Sequence, residues 1–283
     1  MEIGIIGYKN HSQRIINILK KNNKIKKIYI FKNNLNKDYE LNVNTKVKIT
    51  GNLILLLNCN AVFVASPVKS HFKYANFFLK KRIFVFCEKP PFSNKKEIEN
   101  IKKLKNKIMK LYFNFNYQFL DQFQFLSKEI RNKKNGKLIS INFSSSHGLI
   151  FKKSNSWRFK KNKNNLENIF GNLGIHYIYF IKKNFKKIKF MDKSFQSNKI
   201  RSVFDTVNLN LKLNNEVFSN IFLSYATVNF KHIKVYFTNC IIEIKNNKVF
   251  KYSPRDSFDN FGKFITPKPK EIKINIKNDK NNS

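Results

Sequence analysis

The apolar positions of this chain follow two rhythms, and the change between them falls near Asn116. Before it, short apolar runs alternate with stretches of helical spacing. Residues 2–7 form an apolar run that ends in glycine and predicts a buried strand, and Ile15, Ile16 and Leu19 then recur on one face of a helix over 12–19. Lys26–Phe31 predicts a second strand, residues 43–49 alternate like an edge strand, and Leu53–Leu57 suit a short helix. Ala61–Ala65 is a third strong apolar run, broken by Ser66-Pro67, with a helix expected over His71–Lys81. A strand to Cys87, a helix over Lys95–Asn106 and a strand over Lys110–Phe115 complete the series. Strands alternating with helices imply crossover connections and a parallel sheet. The expectation is an α/β, Rossmann-like, doubly wound nucleotide-binding domain over residues 1–115.

The second rhythm is mostly of period two. Leu120–Asn132 reads as helical, Leu138–Ser146 as a strand, and Asn165–Phe185 carries another helix. Val203–Leu213, Val217–Thr227, Ile233–Phe237 and Cys240–Lys245 follow as β runs between Asn-rich turns. This predicts an α+β domain over 116–265 with a mostly antiparallel, open-faced sheet and helices on one face. Residues 266–283, rich in Pro, Lys and then Asn, are expected to be irregular.

Length and composition add limits. A chain of 283 residues accommodates two cores. Its apolar runs fall short of the roughly 20 residues that cross a bilayer, and the first residues read as a strand rather than a signal peptide. Cys59, Cys87 and Cys240 are far apart and in no metal-ligand spacing, which suits free thiols in a reducing compartment. A cytoplasmic protein without a bound metal is expected.

The net charge of +39 raises nucleic acid as a partner. However, of 56 basic residues only Arg14, Arg82, Arg131, Arg158, Arg201 and Arg255 are arginine, the side chain whose planar fork reads phosphates and guanine edges. The lysines are spread along the chain. Abundant Lys, Asn, Ile and Phe together fit drift in an A+T-rich genome, so the charge implies salt-sensitive, non-specific attraction rather than a specific nucleic-acid site.

Candidate chemistry centres on Phe84-Val-Phe-Cys-Glu-Lys-Pro90, an apolar strand that runs into an acid, a lysine and two prolines. Pro90 and Pro91 end the ladder, which holds Glu88 and Lys89 at the carboxyl rim of a parallel sheet, where ligands bind in open α/β folds. Three further stretches accompany it: Ile3-Gly-Ile-Ile-Gly7, Ala61-Val-Phe-Val-Ala-Ser-Pro67 with His71, and Asn172-Leu-Gly-Ile-His176. In their order and approximate spacing the four resemble the glucose-fructose oxidoreductase / inositol dehydrogenase (Gfo/Idh/MocA) family. The chain is shorter than usual for that family, mostly in its second domain.

The resemblance implies an NAD(P)-dependent oxidoreductase. It would move a hydride between nicotinamide and a secondary alcohol or keto carbon of a sugar, nucleotide sugar or cyclitol. The cofactor, NAD or NADP, would lie against Gly7, Tyr8, Lys9, Asn10 and His11 of the first turn, Lys32, Ser66, Pro67, His71, Glu88 and Lys89. Gly7 fills the tight-turn role, while Lys9 and Ser12 stand where the second and third glycines of a dinucleotide fingerprint belong. Phe31-Lys32-Asn33 replaces the usual ribose-binding acid and leaves NAD, NADP and lost binding all open. Lys89 would stabilise a developing alkoxide. His176 would be the general base, suited by a pKa near working pH.

Asn172 stands at the family's aspartate and would orient the substrate, and Tyr179 replaces an acid. Substrate contacts would come from Asn116, Trp157, Arg158, His147, Asn172 and His176, the Trp-Arg pair as a sugar-stacking wall. Packed structural roles for the two histidines and the tryptophan are the plain alternatives. The departures at Lys9, Lys32, Asn172 and Tyr179 keep a second reading in view, a non-catalytic member that binds a sugar or a protein. A homodimer formed through the open sheet is expected, with no membrane span.

Overall fold

The computed structural model describes residues 1–148, 169–197 and 204–274. The chain divides into two compact units, Met1–Asn114 and Phe115–Ser283.

In the first unit the strands are β1 (Glu2–Ile6), β2 (Lys27–Phe31), β3 (Glu40–Asn44), β4 (Val47–Thr50), β5 (Ala61–Val64), β6 (Phe84–Cys87) and β7 (Leu111–Phe113). They form one sheet in the order β3-β4-β2-β1-β5-β6-β7. All neighbours are parallel except β3, which runs antiparallel to β4. The helices are α1 (Asn10–Lys20), α2 (His71–Lys80) and α3 (Lys95–Lys102).

Both faces of this sheet carry apolar side chains, as a sheet covered on both sides requires. Ile3, Ile5, Ile28, Ile30 and Ile49 form one cluster with Ile16 of α1. Val62, Val64, Val85 and Cys87 form another with Tyr74, Phe78 and Leu79 of α2 and Ile101 of α3. The unit is a Rossmann-like, doubly wound sheet. Its strand order reverses between β1 and β5, so ligands belong at the carboxyl ends of those strands.

Two local expectations are corrected here. Residues 43–49 are not one edge strand but parts of the β3–β4 hairpin, because the Asn44 side chain accepts from Lys46 N and Val47 N and turns the chain. The helix from Lys95 stops at Lys102, and a 3-10 helix at Lys105–Lys110 follows, with Lys105 in the left-handed region at φ 48°.

The second unit holds α4 (Asp121–Glu129), β8 (Leu138–Ser146), α5 (Ile175–Asn184), β9 (Ile188–Gln196), β10 (Thr206–Leu213), β11 (Val217–Ser224), β12 (Phe230–Phe237), β13 (Ile241–Lys245), β14 (Lys248–Tyr252) and β15 (Lys270–Ile272). Its sheet runs β15-β14-β13-β12-β8-β11-β10-β9 and is mostly antiparallel, with β8 and β11 paired in parallel. Side chains alternate between faces along each strand. Ile141, Phe143, Leu209, Leu211, Ile221, Ile233 and Ile244 therefore share one core with Phe123 and Leu126 of α4 and Tyr177, Phe180 and Ile181 of α5.

The expectation of irregular chain from residue 266 is corrected at β15, which pairs antiparallel with β14. Ile272 packs against the core and Glu271 meets Lys248 at 3.5 Å, enough to fix a short strand. Among the described residues no helix is long and apolar enough to cross a membrane.

Candidate functional site

The turn after β1 is built around Gly7. Its φ is +105°, and a Cβ there would lie 2.9 Å from Ala65 O at the end of β5, so only glycine lets the two strand ends come this close. Lys9 needs no such freedom. It is the extended N-cap of α1 (φ −88°, ψ 179°), without a side-chain cap, and the first turn of the helix carries no acid. Free amides, the helix dipole and a lysine together favour an anion at this end. Ser12, fully buried in the first turn, has a hydroxyl with no hydrogen-bond partner among the described residues.

The rim beside it is tied together by side chains. Glu88 follows β6, its N–H donating to Val64 O at 2.9 Å. Its carboxylate meets His11 Nε2 at 2.6 Å and accepts from Asn114 Nδ2 at 2.6 Å. Burial pushes the Glu88 carboxyl up, but the His11 hydrogen bond and charge, the Asn114 amide and the Lys89 ammonium outweigh it, and the net direction is down. Glu88 is thus an anion held in place. Lys89 is half-buried and precedes a cis peptide to Pro90.

His71 is buried and spans the same rim. Nε2 lies 2.8 Å from Ser66 O, and Nδ1 lies 3.0 Å from Pro90 O and 3.3 Å from Pro91 O. It braces the turn after β5 against the Glu-Lys-Pro turn. Ser66 Oγ meets Ser70 Oγ at 2.7 Å, and Pro67 caps the short turn that leads into α2. Lys32, one residue past β2, lies with Nζ 5.1 Å from the Tyr8 ring centre. Asn10 opens α1. Burial raises the Cys59 thiol to about 12 and the Cys87 thiol well above its ordinary value, so neither is a nucleophile.

These features fit a dinucleotide. The Gly7 turn lets backbone and helix end approach a pyrophosphate, Lys9 adds a donor, small buried Ser12 lets α1 pack closely on the sheet, and Glu88 offers an acceptor to ribose hydroxyls.

In the second unit, Asn172 and Gly174 lie in a π-helical turn, Phe170–Gly174, that runs directly into α5. A Cβ on Gly174 would meet Phe170 Cδ2 at 2.6 Å and Leu223 Cδ1 at 2.9 Å, so the close fit to β11 depends on glycine. Asn172 Nδ2 donates to Tyr225 OH at 2.8 Å, and His147 stacks on the Tyr225 ring at 4.6 Å. Tyr225 thereby joins two residues named from the sequence, although nothing in its own sequence context marked it.

His176, in the first turn of α5, is 4% exposed and stacks on Tyr117 with ring centres 4.1 Å apart. Lys231 Nζ lies 4.6 Å from the same Tyr117 ring. Tyr179 donates to Gln118 Oε1 at 3.1 Å and stacks on Phe115 at 4.4 Å, a structural contact. Asn116 begins the 3-10 helix Asn116–Phe119. Trp157 and Arg158 lie outside the described residues. No group of three or more His, Cys, Asp or Glu suited to a metal occurs among the described residues.

The fold of the first unit, with a glycine turn and an anion-favouring helix end at the switch point, defines a dinucleotide-binding domain. Residues 1–115 match the model of the oxidoreductase family with an NAD-binding Rossmann fold, GFO_IDH_MocA. Solved structures resemble the chain over nearly its whole length. An NAD-binding oxidoreductase from Klebsiella pneumoniae is 15% identical with TM-score 0.76, covering 96% of this chain and 79% of that one. An oxidoreductase from Agrobacterium radiobacter, in complex with NAD+, L-tartaric acid and magnesium, is 16% identical with TM-score 0.71, covering 90% and 77%. The UDP-N-acetylglucosamine 3-dehydrogenase of Acidithiobacillus ferrooxidans is 12% identical with TM-score 0.69, covering 97% and 83%. At these identities the likeness is one of fold. None of the curated proteins matches.

Proposed function

We propose that the chain is an NAD(P)-dependent oxidoreductase acting on a secondary alcohol or keto carbon of a sugar, nucleotide sugar or cyclitol. The observation that carries this reading is the Glu88-Lys89-Pro90 turn at the carboxyl end of β6, beside a helix end suited to a pyrophosphate. Residues 1–115 bind the dinucleotide, and 116–265 bind substrate and pair two copies in the cytoplasm. Bound nicotinamide supplies the hydride acceptor or donor. Lys89 places an ammonium against the developing alkoxide. His176 takes the hydroxyl proton as the carbinol carbon gives up its hydride. Asn172 orients the hydroxyl, and Asn116, His147, Trp157 and Arg158 contact the sugar. One fold relative is named for a nucleotide sugar, which supports that member of the substrate class.

The test is a screen of nucleotide sugars, aldoses and cyclitols with NAD+ and NADP+, following reduced-nicotinamide absorbance. Turnover that disappears in Lys89→Ala supports the reading. Absence of turnover across the screen, with cofactor still bound, favours the second reading. A non-catalytic member that binds a sugar or protein has its own support, in a His176 that is buried and stacked on Tyr117.

A further inference from the structure

Resting on the dinucleotide reading above, we propose that the preferred cofactor is NADP(H), selected by Lys32 through the 2′-phosphate. Lys32 has a fixed backbone. Its N–H donates to Thr50 O at 3.0 Å, which extends the parallel β2–β4 ladder by one residue. Its side chain leaves the carboxyl end of β2 and places the ammonium 5.1 Å from the centre of the Tyr8 ring. Tyr8 directly follows the Gly7 turn, so the ends of β1 and β2 meet through this contact. In a Rossmann unit this is where the adenosine ribose lies and where an NAD-binding chain offers a carboxylate to its hydroxyls.

Here residues 31–35 read Phe-Lys-Asn-Asn-Leu, without a carboxylate. An ammonium has three donors and no acceptor, so it cannot replace a carboxylate toward a ribose diol. Toward a phosphate it is well matched, forming charge-assisted bonds. The ring contact holding Lys32 is at an exposed tyrosine and is weak enough for a phosphate to displace or share. Half-buried Lys32 is also restrained before binding, so less side-chain freedom is lost. A merely compositional lysine would point into solvent, and this one is held over the turn that carries the cofactor.

The experiment is titration of the full-length protein with NADPH and with NADH, followed by nicotinamide fluorescence at moderate salt. The wild type should bind NADPH at least about tenfold more tightly, as one charge-assisted contact supports. Lys32→Met keeps the aliphatic stem and removes only the ammonium. It should weaken NADPH about tenfold and leave NADH within about twofold, and Lys32→Asp should reverse the preference. Lys27→Ala removes the same charge at the other, exposed end of β2 and should leave the ratio unchanged. Equal affinity in the wild type overturns the proposal, as does a Lys27→Ala effect as large as that of Lys32→Met. Failure of folded protein to bind either nucleotide overturns instead the dinucleotide reading on which the proposal rests.

Discussion

His11 Nε2 lies 2.6 Å from Glu88 Oε1, although 77 residues separate them. The pair links the first turn of α1 to the end of β6, and it is an ion pair while the imidazole is protonated. A cation at a helix N-terminus opposes the dipole, and the Glu88 carboxylate offsets that cost. Because folding lowers the Glu88 pKa, its contribution to stability is complete above its ordinary 4.5 and is lost as pH falls through the lower folded value. His11→Ala should bring that acid loss closer to the ordinary value, and Glu88→Gln should remove it. With His11 47% exposed the stability change is about 1 kcal/mol or less. Urea midpoints measured at a series of acidic pH values test this. An unchanged pH dependence in both variants would show that the contact carries no linkage.

Lys9→Asp should act with opposite signs on fold and ligand. Lys9 is an extended N-cap without a side-chain cap. Aspartate there accepts from the first-turn amides and complements the dipole, adding about 0.5–1 kcal/mol of stability. The same charge repels a pyrophosphate and should weaken dinucleotide binding at least about tenfold. Thermal melting together with fluorescence titration separates the two effects. Gain of stability with unchanged affinity would remove this helix end from the cofactor site.

How far the sequence revealed this arrangement depended on burial. β8 was legible to the residue, Leu138–Ser146, because one face is buried and alternation follows. β9 was not, since an edge strand that is exposed almost throughout obeys no apolar period and is defined by its pairing with β10. Gly7, Lys89 and Glu88 stood out by residue type at strand ends. The partners of Glu88 did not, because His11 and Asn114 reach it only through strand order. His71 lies within hydrogen-bond reach of three backbone carbonyls, a bracing contact that a sequence shows only as a histidine after Ser-Pro. Tyr117 and Tyr225 look like any core aromatics until the fold brings His176 and Asn172 to them.

Lys89→Ala and His176 substitutions should separate charge from packing. Lys89→Ala removes an electrostatic stabiliser and should cut kcat roughly 100-fold or more with little change in Tm. His176→Ala also deletes a buried, stacked ring and should cost roughly 1–3 kcal/mol. His176→Gln keeps most of the volume, so turnover lost in it with Tm largely retained assigns the histidine to proton transfer. Retained turnover in His176→Gln would leave His176 a packing residue against Tyr117.

Asn172→Asp distinguishes a weakened enzyme from a non-catalytic relative. Asn172 Nδ2 donates to Tyr225 OH, a geometry a carboxylate cannot copy, so the tyrosine hydroxyl must turn and donate in return. Tyr225 is fully buried, so the carboxyl beside it is partly desolvated, which raises its pKa, while the hydroxyl donating to it lowers it. In either case it accepts a proton, as the amide does not. The substitution should therefore cost about 1 kcal/mol of stability. In a working enzyme it should raise kcat roughly 10-fold or more and add an acidic limb to the pH–rate profile. The same stability loss with no turnover before or after the change would mean that the second unit has kept the fold and the polar contacts of a dehydrogenase without its proton chemistry.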